Sequence, residues 1–478
     1  MKLRNDGVAR CSSLWNRADL GDPRRTRRAV LTARRMARRP RAPLPAALGT
    51  DAAVQGTYRF VNNSRVDFGT LMAVQGEMTR QRAEECGDVL VLHDTTDCTF
   101  AHLDPEEIGY LNTKKAGFRL HGSLVVDARG WRRPIGVVSA ETVHRAKPRR
   151  RKKKGKVSGP ETARWKDKEF ARWRRGIEVS QARLAGCANV VHVADRESDS
   201  YELMDATMKL GGRFVFRVRV DRRGRPAHSN EDWSTVTQIA RQLEGSFERE
   251  VPLSPRKATS APMKNRVHPP RRARMARLRF AATPIEVPRP WYLYDPIPKT
   301  LRLNLVHVFE DDPPEGEPAV EWLLYTTEPV DTAVAVERVV DVYRTRWLSE
   351  EFHAALKGGC AFESREFESR HALLNILALT LPIACEVLAL RSAARSDDRR
   401  PATAVLTARQ LRILRQIGHH PLSKSPTASE AILAVAALGG HLKRNGSPGW
   451  KVISRGMTEL LTYEAAAARR AGQELDDL

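Results

Sequence analysis

The chain has no Cys-x-x-Cys pair. Its six cysteines, Cys11, Cys86, Cys98, Cys187, Cys360 and Cys385, are scattered along 478 residues. That distribution argues against a structural zinc and a disulfide framework, and leaves buried free thiols as the expectation. No stretch approaches the roughly 20 apolar residues of a membrane span, so no membrane partner is expected. The first twenty residues, MKLRNDGVARCSSLWNRADL, lack the apolar core of a secretion signal, which predicts a cytoplasmic protein. Acidic residues are scarce beside basic ones: 57 Asp+Glu face 81 Lys+Arg, for a net charge of +24. Such an excess points to a polyanionic partner without choosing among DNA, RNA and a membrane surface.

The length allows two or three domains. The first 41 residues hold 13 Lys/Arg and 3 Asp/Glu. Asp22-Pro23 reads as an N-cap followed by proline at the first helical position, opening a helix to about Arg39 that Pro40 stops. Its arginines, Arg24, Arg25, Arg27 and Arg28 among them, go nearly all around, as expected of a phosphate and groove binder. Gln55 to Phe60 and Asn62-Asn63 suggest a second helix and turn completing a small N-terminal domain. Strands are expected at 88–94, 120–127, 134–140, 189–195 and 213–220. Between them, Arg149 to Lys156 is a basic run without apolar periodicity, expected as a loop that tethers DNA nonspecifically. Residues 221–320 show strand-like pieces at 277–282 and 301–309, followed by another at 321–327, with 253–275 expected to be poorly ordered. From about 371 the chain reads as helical. LLNILALTLPIACEVLAL is long and apolar, with Pro382 expected to kink it, and further helices are expected at Ala431–Leu438 and Thr458–Arg470.

The most informative run is VVDVYRTRWLSEEFHAALKGG, expected as one helix ending at Gly358-Gly359. At about 100° per residue, Tyr343, Arg346, Glu350 and Lys357 fall at roughly 0°, 300°, 340° and 320°. Leu348, Phe352 and Ala355 lie on the opposite side. One face would pack on a core and the other would offer a carboxylate flanked by cations and a phenol. That equipment can hold a metal ion against a phosphodiester. Asp94 and Asp195 each end an apolar run that reads as a buried strand. A carboxylate at a strand's carboxyl end emerges where ligands bind; read singly, each is better explained as a turn or helix N-cap. Together with Glu350 they make an oxygen set suited to Mg²⁺ or Mn²⁺. Two such ions can activate the attacking oxygen and stabilise the leaving one.

The runs LGDPRRTRR (20–28), QGTYRF (55–60), DTT (94–96), ADRESD (194–199), RFVFR (213–217), EWLLYTTEPV (321–330), YRTRWLSEEFHAALK (343–357) and LGGHLKR (438–444) carry a family likeness. The chain resembles bacterial DDE transposases of the insertion-sequence-four family, and within it the Tn-five group. The Tyr-Arg-Glu-Lys spacing of three, four and seven is that family's third catalytic segment. The resemblance implies an α/β fold: an RNase H-like catalytic core (71–370) with a β-rich insertion (221–320). A helical N-terminal domain (1–70) would bind transposon ends, and a helical C-terminal domain (371–478) would dimerise. Leu433, Val435, Leu438, Leu460 and Leu461 are the apolar candidates for that interface.

By the same resemblance, Asp94, Asp195 and Glu350 bind two divalent ions, Mg²⁺ or Mn²⁺. The protein cuts double-stranded DNA at the end repeats, passes through a hairpin and joins the 3′ ends to target DNA as a homodimer. Tyr343, Arg346 and Lys357 would contact phosphates, Trp322 a flipped base, and Arg217 would line the site. Asp97, Glu197, Asp199 and Glu351 are set aside as acids that merely neighbour the triad in sequence; Glu351 falls at roughly 80°, outside the polar arc. Two departures from the pattern stand out: the Asp94–Asp195 interval is long, and His93 precedes Asp94 where an acid is common. A nuclease without strand transfer would share the triad but need no end-binding domain. A non-catalytic DNA-binding regulator would show a damaged triad or lack the basic N-terminal helix.

Overall fold

The computed structural model describes residues 11–111, 115–130, 132–145, 170–227, 232–245, 247–253, 255, 256, 258, 269–395, 399–418, 420–442, 444 and 446–471. The basic run 149–156 and most of 253–275 lie outside these. The described chain forms two compact units. One holds residues up to 145, 182–189 and 347 onward; the other holds 170–181 and 190–346. Both mix helices with strands that pair mostly antiparallel.

In the first unit, the Asp22 side chain accepts from the Arg24 amide and Pro23 opens a helix to Arg38, as proline's missing donor and fixed φ favour. This helix is not basic all around. Ala29, Val30, Ala33, Met36 and Ala37 form a buried stripe, because a helix in a small module is held by packing one face rather than by propensity. Thr50 caps the helix Asp51–Val61, and Asp67 caps Phe68–Cys86. Three strands follow as an antiparallel meander: β1 (Asp88–Thr99), β2 (Gly117–Asp127) and β3 (Pro134–Val143). β1 does not end at Asp94. It runs five residues further, with Asp94 opposite Gly122. The continuation carries β-branched Thr95, Thr96 and Thr99, which suit a pleated strand, and Cys98 is fully buried on it.

The apolar C-terminal segment is the helix Arg370–Arg395 with Pro382 inside it. Its mean hydropathy of 2.1 would suit a membrane span, yet 78% of that window is buried within the protein. It packs on the helices Pro23–Arg38, Asp51–Val61 and Phe68–Cys86, on β3, and on the helices Ala428–Leu438 and Trp450–Arg470. The Asn375 amide donates to the carbonyls of Val61 (2.9 Å) and Val66 (2.8 Å). This is the unit's core helix, so cutting the chain near residue 370 removes the core rather than releasing a domain.

The helix Ala408–Ile417 is not among those the sequence predicts. Ala428–Leu438 and Trp450–Arg470 cross closely at glycine: a Cβ on Gly456 would sit 1.8 Å from the Val435 carbonyl oxygen, so only glycine fits. Val435, Leu460 and Leu461 are buried inside this unit. They serve intramolecular packing and are not available as a dimer interface; Leu433 and Leu438 are half-buried. All six cysteines are free thiols, five of them buried, and burial pushes Cys98 and Cys360 up to about 12.

The second unit contains β4 (Asn189–Ala194), the helix Tyr201–Lys209 and β5 (Arg213–Arg217), in which β4 and β5 pair in parallel. Then come β6 (Arg223–Pro226), β7 (Ser234–Thr235), β8 (Phe247–Leu253), β9 (Arg274–Pro288), β10 (Thr300–Phe309) and β11 (Glu321–Thr326). The strand order is β4-β5-β11-β10-β9-β6-β7, with β8 also on β9. The long β9 pairs with β8 through Arg274–Phe280 and with β6 through Ile285 and Glu286. The core gathers Phe214, Phe216, Ile285, Leu303, Leu305 and Tyr325. Residues 221–320 hold β6 to β10 and, among them, the short helix Val236–Gln242.

Candidate active site

Asp94 sits at mid-strand on β1, 9% exposed. One carboxylate oxygen accepts from the Thr95 amide at 2.8 Å, the other from the Ser349 hydroxyl at 2.9 Å. His353 Nδ1 lies 3.9 Å from the second oxygen. Ser349 and His353 belong to the helix Trp347–Ala354, which also carries Glu350. Ser349 thus ties the helix bearing Glu350 to the strand bearing Asp94. The sequence alone does not single out Ser349 or His353; their only signal is that they flank Glu350 at one residue before and three after.

The expected single helix is broken. One helix, Ala333–Thr345, stops at Arg346, whose amide bonds back to Tyr343 in a tighter turn. A second runs Trp347–Ala354, followed by a π-helical turn at Ala355–Gly359. A widened turn is a common device at functional sites, and both irregularities void the ideal angular arc. Phe352 and Ala355 are buried as expected, whereas Leu348 is half-buried. Tyr343, placed on the polar arc by the sequence, is 5% exposed. Lys357 Nζ donates to the Asp97 carbonyl and lies 3.6 Å from Glu363. Glu363 in turn accepts from the Thr99 amide at 2.9 Å.

In the second unit, Asp195 follows β4 directly. Its side chain accepts from the Glu197 amide at 2.9 Å, capping a short 3₁₀ turn. The strand-end and N-cap readings are both realised there. Trp322 on β11 meets Tyr343 edge-on, with centroids 5.7 Å apart, and the Arg217 guanidinium lies 5.9 Å from the Trp322 ring. Arg217 also donates to the Glu321 carbonyl at 3.4 Å. Burial, then the Arg217 charge, hold the Arg196 guanidinium below its ordinary value, while Tyr343 and Asp195 oppose this. Like charges kept adjacent are relieved by an anion.

The acids set aside have structural partners. Asp97 lies 3.3 Å from Arg119 and Glu197 lies 3.0 Å from Arg172. Asp199 pairs with Arg222 and accepts from the amides of Arg219 (2.6 Å) and Val220 (2.8 Å). Glu351 lies 2.6 Å from Arg391. His93 is buried and shares a hydrogen bond with Ser123 at 3.0 Å. On the N-terminal helix, Arg24 grips Asp22 at 3.0 Å and lowers that carboxyl, and Arg25 donates to the Leu20 carbonyl at 2.7 Å. Arg28 lies over Gly56, and Arg27 is exposed.

Among the described residues no three His, Cys, Asp or Glu side chains are gathered into a cluster that would by itself hold an ion. The donors nonetheless suit a hard divalent cation. Carboxylate oxygens are the ligands such cations prefer, and Asp94, Asp195 and Glu350 are all carboxylates.

These features define a class: a basic protein with a helical N-terminal module, a carboxylate tied to the helix of Glu350 in one unit and a strand-end carboxylate followed by arginine in the other. The family model for transposase DNA-binding matches residues 11–66. The family model for the transposase DDE domain matches residues 143–383, half of the chain. The chain belongs to the DDE transposase family, and DNA is its partner. The matched span contains Asp195 and Glu350; Asp94 precedes it.

Proposed function

We propose that this transposase works by cut-and-paste, in the manner of the insertion-sequence-four family and its Tn-five group. Asp94, Asp195 and Glu350 jointly hold two Mg²⁺ or Mn²⁺ ions. When bound, such ions lower the pKa of an attacking water and neutralise charge on the leaving oxygen. The observation that carries the reading is the Ser349–Asp94 hydrogen bond, which fixes a strand carboxylate against the helix of Glu350. Arg217 and Arg196 draw a phosphate toward Asp195, and Trp322 offers a ring face to an unstacked base. Tyr343 supports Trp322, and Arg346 and Lys357 steady the backbone near the scissile bond. A meander followed by a parallel strand–helix–strand is the chain order of an RNase H-like core, which supports placing catalysis in 71–370. Residues 1–70 then recognise end repeats, and 371–478 contribute to pairing two protomers.

The test uses the full chain and a duplex carrying the inverted repeats that flank its gene. Cleavage should require Mg²⁺ or Mn²⁺ and yield a hairpin on a denaturing gel. The Asp94→Asn and Glu350→Gln proteins should bind the duplex but leave it uncut. Cleavage in excess chelator, or by the Glu350→Gln protein, overturns the assignment.

A further inference from the structure

The connection between β9 and β10 carries an exposed aromatic cluster that the catalytic reading does not use. Trp291 is 81% exposed, Tyr294 61% and Tyr292 49%, with the Trp291 and Tyr292 rings edge-on at 5.9 Å. Large rings are normally buried or at interfaces, and three in four residues form a patch that calls for a partner.

The tip is not loose. Leu293 and Ile297 point inward against the unit's core. The Tyr201 hydroxyl donates to the Pro298 carbonyl at 2.9 Å, and Lys209 Nζ donates to the Pro296 carbonyl at 3.2 Å. Arg289 donates to Asp295 at 2.8 Å and to the Ile297 carbonyl. Backbone bonds close the loop from Arg289 to Lys299 (2.8 Å) and from Leu293 to Pro290 (3.0 Å). Pro288, Pro290, Pro296 and Pro298 restrict it further. The rings are therefore held outward on a stiff support, so using them costs little entropy.

We propose that this tip is a sequence-independent DNA-binding element that stacks Trp291 and Tyr294 on unpaired or unstacked bases. The inference rests on DNA being the partner, and it goes beyond the end-repeat and active-site interactions. A strand turn is convex, so it enters a groove or gap rather than receiving a ligand. The rings have flat π faces that match bases of any sequence. Lys299 beside the rings is exposed and suits a phosphate backbone, as does the chain's net charge of +24, whereas Lys209 pairs with Asp205 at 2.7 Å and Arg302 with Glu286 at 3.1 Å. Aromatic and apolar wedges are a known means of holding DNA open at a kinked step.

The experiment compares three DNAs by fluorescence anisotropy with the full chain: a paired duplex lacking end repeats, the same duplex with a short gap, and an oligothymidylate. 2-Aminopurine opposite the gap reports stacking. Trp291→Ala and Tyr294→Ala should each weaken binding to gapped and single-stranded DNA about ten-fold and abolish the 2-aminopurine quench. Paired duplex should change less than about two-fold, and Trp291→Phe should retain most of the effect. Both positions are exposed, so thermal unfolding should be unmoved. Equal affinity for all DNAs in wild type and variants overturns the proposal. So does a loss of self-association on Trp291→Ala with DNA binding intact, which would make the tip an interface between copies. Metal-dependent end cleavage by wild-type protein, run in parallel, reports separately on the transposase reading.

Discussion

Asp94 and Asp195 are assigned the same task but are held by different physics. Asp195 is oriented locally: its carboxylate caps the turn two residues onward through the Glu197 amide. Asp94 is oriented across the chain, because Ser349 is 255 residues away. A local cap forms whenever the strand and turn form. A long-range clamp exists only after β1 and the Trp347–Ala354 helix have packed, so it reports on tertiary structure. The two carboxylates should therefore respond alike to deletion and differently to removal of their supports.

The largest expected effect is shared. Alanine at Asp94, Asp195 or Glu350 should lower strand cleavage at least about a thousand-fold, since each removes charge stabilisation of several kcal/mol from the transition state. End binding, measured by gel shift, should persist. A mild Asp195→Ala beside a severe Asp94→Ala would break the equivalence and leave Asp195 as a turn cap.

The next effect separates them. Ser349→Ala removes a donor from Asp94 without touching a proposed ligand. Removing such a support typically costs 10–100-fold in metal affinity or activity. A Mg²⁺ titration of cleavage should shift to higher concentration, with rate recovering at saturation, and Ser349→Thr should rescue part of it. At the Asp195 cap the donor is the Glu197 backbone amide, so only proline at 197 could remove it. An unshifted Mg²⁺ midpoint would mean that the Ser349 bond is packing only.

How much of the molecule is legible in its sequence follows from the same distinction. β1 and β4 are visible as apolar runs, and the Asp22-Pro23 helix start is visible because capping chemistry is local. The Ser349 clamp, the Trp322–Tyr343 pair and the Arg217 stacking are not, since each joins residues brought together only by folding. The break at Arg346 has no glycine or proline to announce it. The N-terminal helix departs from its expected all-round basic surface because counting arginines does not reveal that Ala29, Ala33 and Met36 line its packed side. Val435, Leu460 and Leu461, expected at a dimer interface, turn inward for the same reason: an apolar stripe does not say whether its partner is another helix or another chain.

Arg24 is engaged by Asp22, whereas Arg27 is exposed. Arg27→Ala should lower the slope of log K against log salt by about 0.9 for each phosphate left unneutralised. Arg24→Ala should lower it less, because Asp22 already competes for that cation. Equal slopes in wild type and Arg27→Ala would mean that this face does not meet DNA.

The smallest effect on chemistry is expected one residue from the proposed ligand. Glu350 and Glu351 are adjacent carboxylates on one helix, yet Glu351 is buried and lies 2.6 Å from Arg391, on the core helix Arg370–Arg395. Glu351→Gln keeps the shape and removes the charge, leaving Arg391 with a weaker partner in a poorly solvated place. Hydrogen bonds to charged groups contribute about 2 kcal/mol, so denaturant unfolding should report a destabilisation of that order. Cleavage by the folded protein should stay within about two-fold of wild type. Glu350→Gln should instead abolish cleavage by protein that still folds and binds DNA. If Glu351→Gln abolished cleavage while unfolding were unchanged, the catalytic carboxylate would be Glu351 and the Glu350 assignment would fall.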